Sequence, residues 1–155
     1  ILTRSTLKTA AEIRPQLAAG AARAARDAGA IQVTTLCPTA VRDDSQAALD
    51  QMRPGLALYA GFFPRYNKLI ANHGFAAEAA EIAERWAAGD KDGAAKAVTD
   101  EMVRATSVAG SPEECRAKLQ AYRDSGIDEP IISPFARGPG SAAVFEEAIR
   151  ACAPR

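Results

Sequence analysis

The sequence has three cysteines and one histidine, too few to build a zinc centre or a disulfide framework. Cys37, Cys115 and Cys152 are odd in number and far apart, and no CxxC motif or Cys/His ligand spacing occurs. Structural zinc sites need clustered ligands, and disulfide-rich secreted domains need paired cysteines. We therefore predict no bound metal, and reduced thiols in a cytoplasmic protein.

The chain also lacks net charge and long apolar runs. Its 19 basic residues balance its 19 acidic residues, and no basic run stands out. Nucleic-acid binding depends on clustered Lys and Arg, so we predict no nucleic-acid partner. A membrane-spanning helix needs about 20 successive apolar residues, which the sequence does not contain. No signal-peptide pattern opens the chain. We predict a cytoplasmic location and no membrane contact.

Aromatic residues are scarce and unevenly distributed. The sequence has five Phe, three Tyr and one Trp, and five of these rings lie between residues 59 and 75, together with His73. The cluster either packs as a corner or lines a site. Gly61 and Pro64 interrupt the helical pattern, so some rings should leave the helix axis. Because the sequence shows no orienting partner for His73, we predict a packing or capping role and not a general base.

Helix is the default state of this chain, because it contains 36 alanines and few β-branched residues. Asp43 and Gln46 have capping-box spacing ahead of a helix that Pro54 should break. A clearer signal is SPEE, where Ser111 is a candidate N-cap and Glu114 completes a capping box. These patterns predict helices in most of the chain.

Short apolar segments interrupt the helices at four places: near residue 1, in IQVTTLCPTAV (31–41), at 107–109 and at 131–133. Strands that alternate with helices predict a parallel sheet. Pro38 has no N–H for a sheet ladder, so the paired part of the second strand should end near Cys37. Between the second and third strands lies an insertion of several helices.

Three runs of this sequence, LALYAGFFPRYNKLIANHGF, AVTDEMVRATSVAGSPEECRAKLQAYRDSGID and EPIISPF, resemble the C-terminal half of the luciferase-like monooxygenase superfamily. The likeness is greatest to its F420-dependent, methylenetetrahydromethanopterin-reductase-like oxidoreductases. The resemblance implies an α/β, helix-rich fold: the C-terminal half of a (β/α)8 TIM barrel, about strands 5–8. It further implies a single partial-barrel domain over residues 1–155, with a helical insertion over residues 43–106.

The resemblance also implies a function. The intact enzyme would be an F420- or flavin-dependent oxidoreductase that transfers hydride between F420 or FMN and a small organic substrate. In the family, much of the cofactor pocket comes from the first half of the barrel. We therefore expect this chain to be a fragment that is inactive alone and binds no cofactor. We also expect it to form a homo-oligomer or to associate with the missing N-terminal half.

Two alternatives remain open from the sequence. One is an FMN-dependent luciferase-like monooxygenase, which would share the fold and differ in the cofactor and in the use of oxygen. The other lies outside the family and is a non-enzymatic helical interaction module. Such a module should contain no strands.

Sites in barrels lie in the loops that follow the strands. In FARGPGSAA, Arg137 supplies a cation, Gly138 and Gly140 allow close backbone approach, and Ser141 opens a helix. F420 and FMN carry phosphate, so we predict that these four residues bind the cofactor; the alternative is a solvent loop that needs glycine to turn. The loops CPTAVRDD and AGSPEE are predicted to be turns with helix caps.

The substrate contacts are predicted from the aromatic segment. The resemblance places this segment in the insertion, near the mouth of the substrate pocket. We predict that Phe63, Arg65 and Tyr66 contact the substrate. No arrangement in the sequence assigns a catalytic residue.

Overall fold

A parallel sheet is built around one long strand. In the computed structural model, which describes residues 2–136 and 139–153, strand β1 (Leu2–Thr3) pairs with the early part of β2 (Thr34–Val41). A three-residue strand, β3 (Val108–Gly110), pairs with the end of β2. β4 (Glu129–Pro134) pairs with β2 over six positions. All three pairings are parallel, as the alternation of strands and helices predicts.

Each of the eight α-helices in the described residues follows a strand directly or lies within the insertion after β2. α1 connects β1 to β2, five helices lie between β2 and β3, α7 connects β3 to β4, and α8 follows β4. Their bounds are α1 (Leu7–Arg23), α2 (Ser45–Phe62), α3 (Pro64–Asn72), α4 (Ala76–Ala87), α5 (Lys91–Lys96), α6 (Asp100–Thr106), α7 (Pro112–Asp124) and α8 (Ser141–Cys152). None of the helices in the described ranges is long and apolar enough to cross a membrane.

The structure confirms one local helix signal and corrects two. Ser111 caps α7, and Glu114 completes the capping box by accepting a hydrogen bond from the Ser111 N–H at 2.7 Å. The N-cap of α2 is Asp44, not Asp43, because the Asp44 carboxylate accepts from the second and third backbone N–H groups of the helix. The predicted break at Pro54 is wrong, since α2 runs through that residue to Phe62.

The prediction that strand pairing ends near Cys37 is also wrong. Pro38 pairs in register with Ser133, and β2 continues to Val41. Thr39 pairs with both β3 and β4, so these two strands lie on opposite edges of β2. On the β3 edge, β1 ends opposite Leu36 before β3 begins opposite Thr39. The ladder therefore has a gap at position 38, where a missing N–H can be tolerated.

The strand order differs from that of four consecutive barrel strands. In such a run, β3 would separate β2 from β4, whereas β4 pairs directly with β2. The structure confirms an α/β, helix-rich chain with a parallel sheet. The assignment to one half of a barrel stays a prediction.

Two hydrophobic cores lie on the two faces of the sheet. One core joins the helices of the insertion and includes Ala40 of β2; the other joins α1, α7 and α8 and includes Cys37 and Val41. Alternate residues of a strand point to opposite faces, which accounts for this division. On the Ala40 face, Leu36 is 36% exposed and its register neighbour Ile131 is 38% exposed. This face of the sheet, named the open face, is therefore only partly covered.

An ion pair ties the start of β4 to α1. The Asp128 carboxylate accepts a hydrogen bond from the Val33 N–H at 2.7 Å and pairs with the Arg14 guanidinium. Arg14 also donates to the backbone oxygens of Gly126 and Ile31, both at 3.0 Å. One arginine therefore joins three segments around the parallel sheet.

This contact predicts a pH dependence of stability. The hydrogen bond from Val33, and then Arg14, lower the pKa of Asp128. Because its pKa is below the unfolded value of about 3.9, Asp128 stabilises the fold fully above that pH, and the stabilisation is lost as pH falls through the folded-state pKa. We expect the Tm difference between wild type and Asp128→Asn to narrow as pH falls below about pH 5. A constant difference would contradict this assignment.

Candidate functional site

A cavity of about 200 Å³ lies between the open face of the sheet and helix α2. The sheet wall comes from β1, β2 and β4, and the opposite wall comes from one side of α2. Its lining residues are Thr3, Arg4, Leu36, Pro38, Gln51, Met52, Gly55, Leu58, Tyr59, Ser133 and Phe135. The register explains the sheet wall, because Thr3 pairs with Leu36 and Pro38 pairs with Ser133, which places each pair on one face.

Arg4 is the charged residue among those that line this cavity, which is therefore named the Arg4 cavity. It follows β1 directly and has a left-handed backbone with φ 51°, a conformation that side-chain-bearing residues seldom adopt. Only 5% of its surface is exposed. Burial lowers the pKa of Arg4, while the nearby Tyr59 and Tyr66 act in the opposite direction.

The Arg4 guanidinium lies over an aromatic ring. Its central carbon lies 4.3 Å from the centroid of the Tyr59 ring, within the range of a cation–π contact. Its Nη1 atom is buried and has no hydrogen-bond partner among the described residues. The next residue, Ser5, is anchored because its backbone oxygen accepts a hydrogen bond from Tyr122 Oη at 2.5 Å. The backbone around Arg4 is therefore fixed while one end of the guanidinium is left unsatisfied.

The aromatic segment forms the packing corner beside this cavity. Tyr59 makes edge contact with Tyr66 at a centroid distance of 4.8 Å and a tilted contact with Phe63 at 5.5 Å. Phe62 and Phe63 meet at 4.9 Å, also edge to face. The two alternatives left by the sequence therefore both apply to Tyr59, which packs in the corner and lines the cavity.

None of the three predicted substrate residues is among those that line the cavity. Tyr66 and Phe63 contact Tyr59, and Arg65 is exposed at the start of α3. Their contact with a substrate stays a prediction.

His73 lies at the C-cap of α3, and its backbone N–H donates to the oxygens of Leu69 and Ile70 at 3.1 and 3.0 Å. Burial lowers the pKa of His73, and a hydrogen bond to the Arg4 backbone raises it to a lesser extent. Its Nε2 atom is buried without a hydrogen-bond partner in the described part of the chain. The sequence had no signal for this proximity to Arg4, because the two residues are far apart along the chain.

The predicted cofactor loop begins at the edge of the Arg4 cavity. Phe135 lines the cavity, and its backbone oxygen accepts a hydrogen bond from Gln51 Nε2 at 3.0 Å. Two of the four predicted residues, Arg137 and Gly138, lie outside the described residues. Gly140 is the left-handed N-cap of α8, with φ 87°, and Ser141 is the first residue of that helix. Phosphate binding by this loop stays a prediction.

The thiols have the environment of structural cysteines. Burial raises the pKa of Cys37 to about 12 and that of Cys115 to about 12. A thiol with so high a pKa carries almost no thiolate near neutral pH and is a poor nucleophile. Within residues 2–136 and 139–153, no group of three or more His, Cys, Asp or Glu side chains could hold a metal ion.

Arg4 and Gln51 are polar residues of this site that the sequence analysis did not identify, whereas Tyr59 belongs to the aromatic cluster that it did. It considered the loops after the second, third and fourth strands and not the loop after the first. The rule that barrel sites lie after strands also applies to β1, so Arg4 could have been found in that way. The arrangement as a whole offers one buried cation and an apolar wall, which suits an anionic group on an otherwise apolar ligand.

Comparison with known proteins gives a family and a similar fold. The family model for luciferase-like monooxygenase matches residues 1–129. A solved structure of coenzyme F420-dependent tetrahydromethanopterin reductase from Methanopyrus kandleri is similar over 92% of this chain, with a TM-score of 0.75 and 24% sequence identity. The match covers 40% of the length of the reductase chain. No curated protein matches the sequence.

Proposed function

Because the chain belongs to the luciferase-like monooxygenase family, we propose that it is part of an oxidoreductase that uses F420 or a flavin. In the intact enzyme, hydride passes between the cofactor and a small organic substrate. The cofactor supplies the hydride chemistry, and the protein supplies binding and orientation. The Arg4 cavity is the observation that carries this proposal, since it lies beside strand ends and joins a buried cation to apolar walls.

The size of the cavity limits what this chain holds by itself. Its volume is about 200 Å³, below the roughly 300–1,000 Å³ of typical ligand pockets. The described residues therefore fit one part of a cofactor or a small substrate, and they do not fit a whole F420 or FMN molecule. We propose that the remaining walls belong to further protein, because the chain spans 40% of the length of the similar reductase.

The open face is the proposed place for that further protein. Leu36, Ile131 and Phe135 are partly exposed apolar residues along it. Their burial against the other half of a barrel, or against a second copy of the chain, would remove apolar surface from water, which favours association.

Residues 43–106 are proposed to be the helical insertion of this single partial domain, and the cytoplasm is its proposed location.

A cofactor titration tests the function. We expect the longest reading frame that contains this chain to bind F420 saturably, and the 155-residue chain to bind neither F420 nor FMN. Fluorescence quenching of each cofactor measures both. Hydride transfer would then be followed as the loss of F420 absorbance when substrates are added. Saturable FMN binding with no F420 binding would instead support the FMN-dependent monooxygenase, and failure to bind either cofactor would contradict the proposal.

The helical interaction module is the less suitable function. It requires a chain without strands, whereas β2 pairs with three other strands. Such a module would also not require the partly exposed apolar residues of the open face. The family membership and the sheet together favour the oxidoreductase.

A further inference from the structure

Arg4 is a buried cation without a carboxylate partner. Among the described residues, no ion pair includes Arg4, although 95% of its surface is removed from solvent. Burial of an unpaired charge is costly, and buried charges are normally paired with an opposite charge or bound to a ligand. The position of Arg4 therefore needs an anion that the described protein does not supply.

The contact with Tyr59 leaves the hydrogen-bonding capacity of Arg4 available. A cation–π contact uses the flat face of the guanidinium, whereas its five N–H donors lie in the plane. The ring centroid is 4.3 Å from the guanidinium carbon, and Nη1 has no acceptor among the described residues. An arginine held in this way can donate in its own plane to a carboxylate or a phosphate.

The backbone around Arg4 is held in a strained conformation. A non-glycine residue with φ 51° is in the left-handed region, which costs of order 1 kcal/mol or more and persists only where the surroundings impose it. The hydrogen bond from Tyr122 to the Ser5 oxygen is one such constraint. Strain of this kind is concentrated at ligand-binding and active sites.

The cavity gives the anion a place to bind. Arg4 lines it together with apolar side chains of the sheet and of α2, among them Leu36, Met52 and Leu58. In such apolar surroundings a charge-assisted hydrogen bond is stronger than in water. An anion bound there would at the same time satisfy the desolvated cation.

We propose that Arg4 binds the carboxylate or phosphate group of the substrate in the Arg4 cavity, so that the substrate is an anionic small molecule with an apolar part. Calling the bound molecule a substrate rests on the proposed function, whereas the anion-binding site at Arg4 does not depend on it. Tyr59 orients the guanidinium, and the apolar walls accept the rest of the molecule.

The test measures anion binding by the chain without any cofactor. The 155-residue chain is titrated with inorganic phosphate and, separately, with acetate at constant ionic strength, and the change in Tm is followed. We expect a saturable rise in Tm with the anion that fits. The phosphate and acetate arms distinguish a phosphate substrate from a carboxylate substrate.

Three variants assign the binding to Arg4. Arg4→Met keeps a stem of similar length without charge and should weaken anion binding at least tenfold, whereas Arg4→Lys should weaken it less. Arg26→Met removes an exposed arginine distant in the sequence and should leave binding unchanged. Circular dichroism spectra check that each variant folds, and Arg4→Lys keeps the test valid if Arg4→Met does not fold.

Each outcome decides the proposal. Loss of binding in Arg4→Met or a clear weakening in Arg4→Lys, with Arg26→Met unchanged, supports it. Binding that is equal in all variants, or no saturable binding of either anion, overturns it. If Arg4-dependent binding is found but no cofactor binds to the longer protein, the oxidoreductase proposal fails while the anion site stands.

Discussion

Replacing Gly61 by alanine is expected to lower the free energy of unfolding by about 1–3 kcal/mol, although alanine is the better helix former. A Cβ atom at position 61 would lie 2.5 Å from both Cβ and Cγ of Trp86. The Cβ of Trp86 is fixed to the backbone of α4, so no side-chain rotation relieves this clash. α2 and α4 would have to move apart, and the core that joins them would loosen.

Gly20 provides the matched control. It also lies inside a helix, α1, but no atom lies within 4 Å of the position of an added Cβ. Gly20→Ala should therefore raise the free energy of unfolding by about 1 kcal/mol, the ordinary gain in helix propensity. Urea unfolding followed by circular dichroism measures both variants. Equal stabilisation by the two substitutions would show that Trp86 does not pack against α2 as described.

The capping box of α7 was predicted correctly because it needs only residues within one turn, whereas the cap of α2 and the effect of Pro54 were not. The error at Pro38 has a tertiary cause. Whether a missing N–H disrupts a strand depends on its neighbours, and no local pattern shows that the ladder has a gap at that position. The position of β4 beside β2 likewise depends on how α7 and α8 pack on the sheet.

The site was predicted less completely than the fold. The aromatic composition of residues 59–75 indicated a packing corner or a site, and Tyr59 serves in both. Its partner Arg4 lies near the start of the described chain, and the two meet because β1 pairs with β2 and α2 packs over this part of the sheet. Composition indicates which side chains are unusual, whereas the contacts between distant segments decide which of them meet.

The central claim is that the part of the open face that lines the Arg4 cavity forms a wall of the ligand pocket in the intact protein. Leu36 lies on this face, lines the Arg4 cavity and is 36% exposed. Leu36→Glu should therefore fold as an isolated chain. In the intact protein it would place a carboxylate in the cavity that Arg4 also lines, where it competes with an anionic ligand for the guanidinium and repels that ligand, so affinity should fall about 100-fold.

The most direct measurement is therefore a cofactor titration of the intact protein as wild type, Leu36→Glu and Ile149→Glu. Ile149 is the control, because it is an apolar residue on α8 that is 59% exposed and does not line the Arg4 cavity. We predict that Leu36→Glu reduces the affinity for F420 or FMN about 100-fold and that Ile149→Glu leaves it within about twofold of wild type. Wild-type affinity in Leu36→Glu would contradict the claim that this face of the sheet lines the pocket.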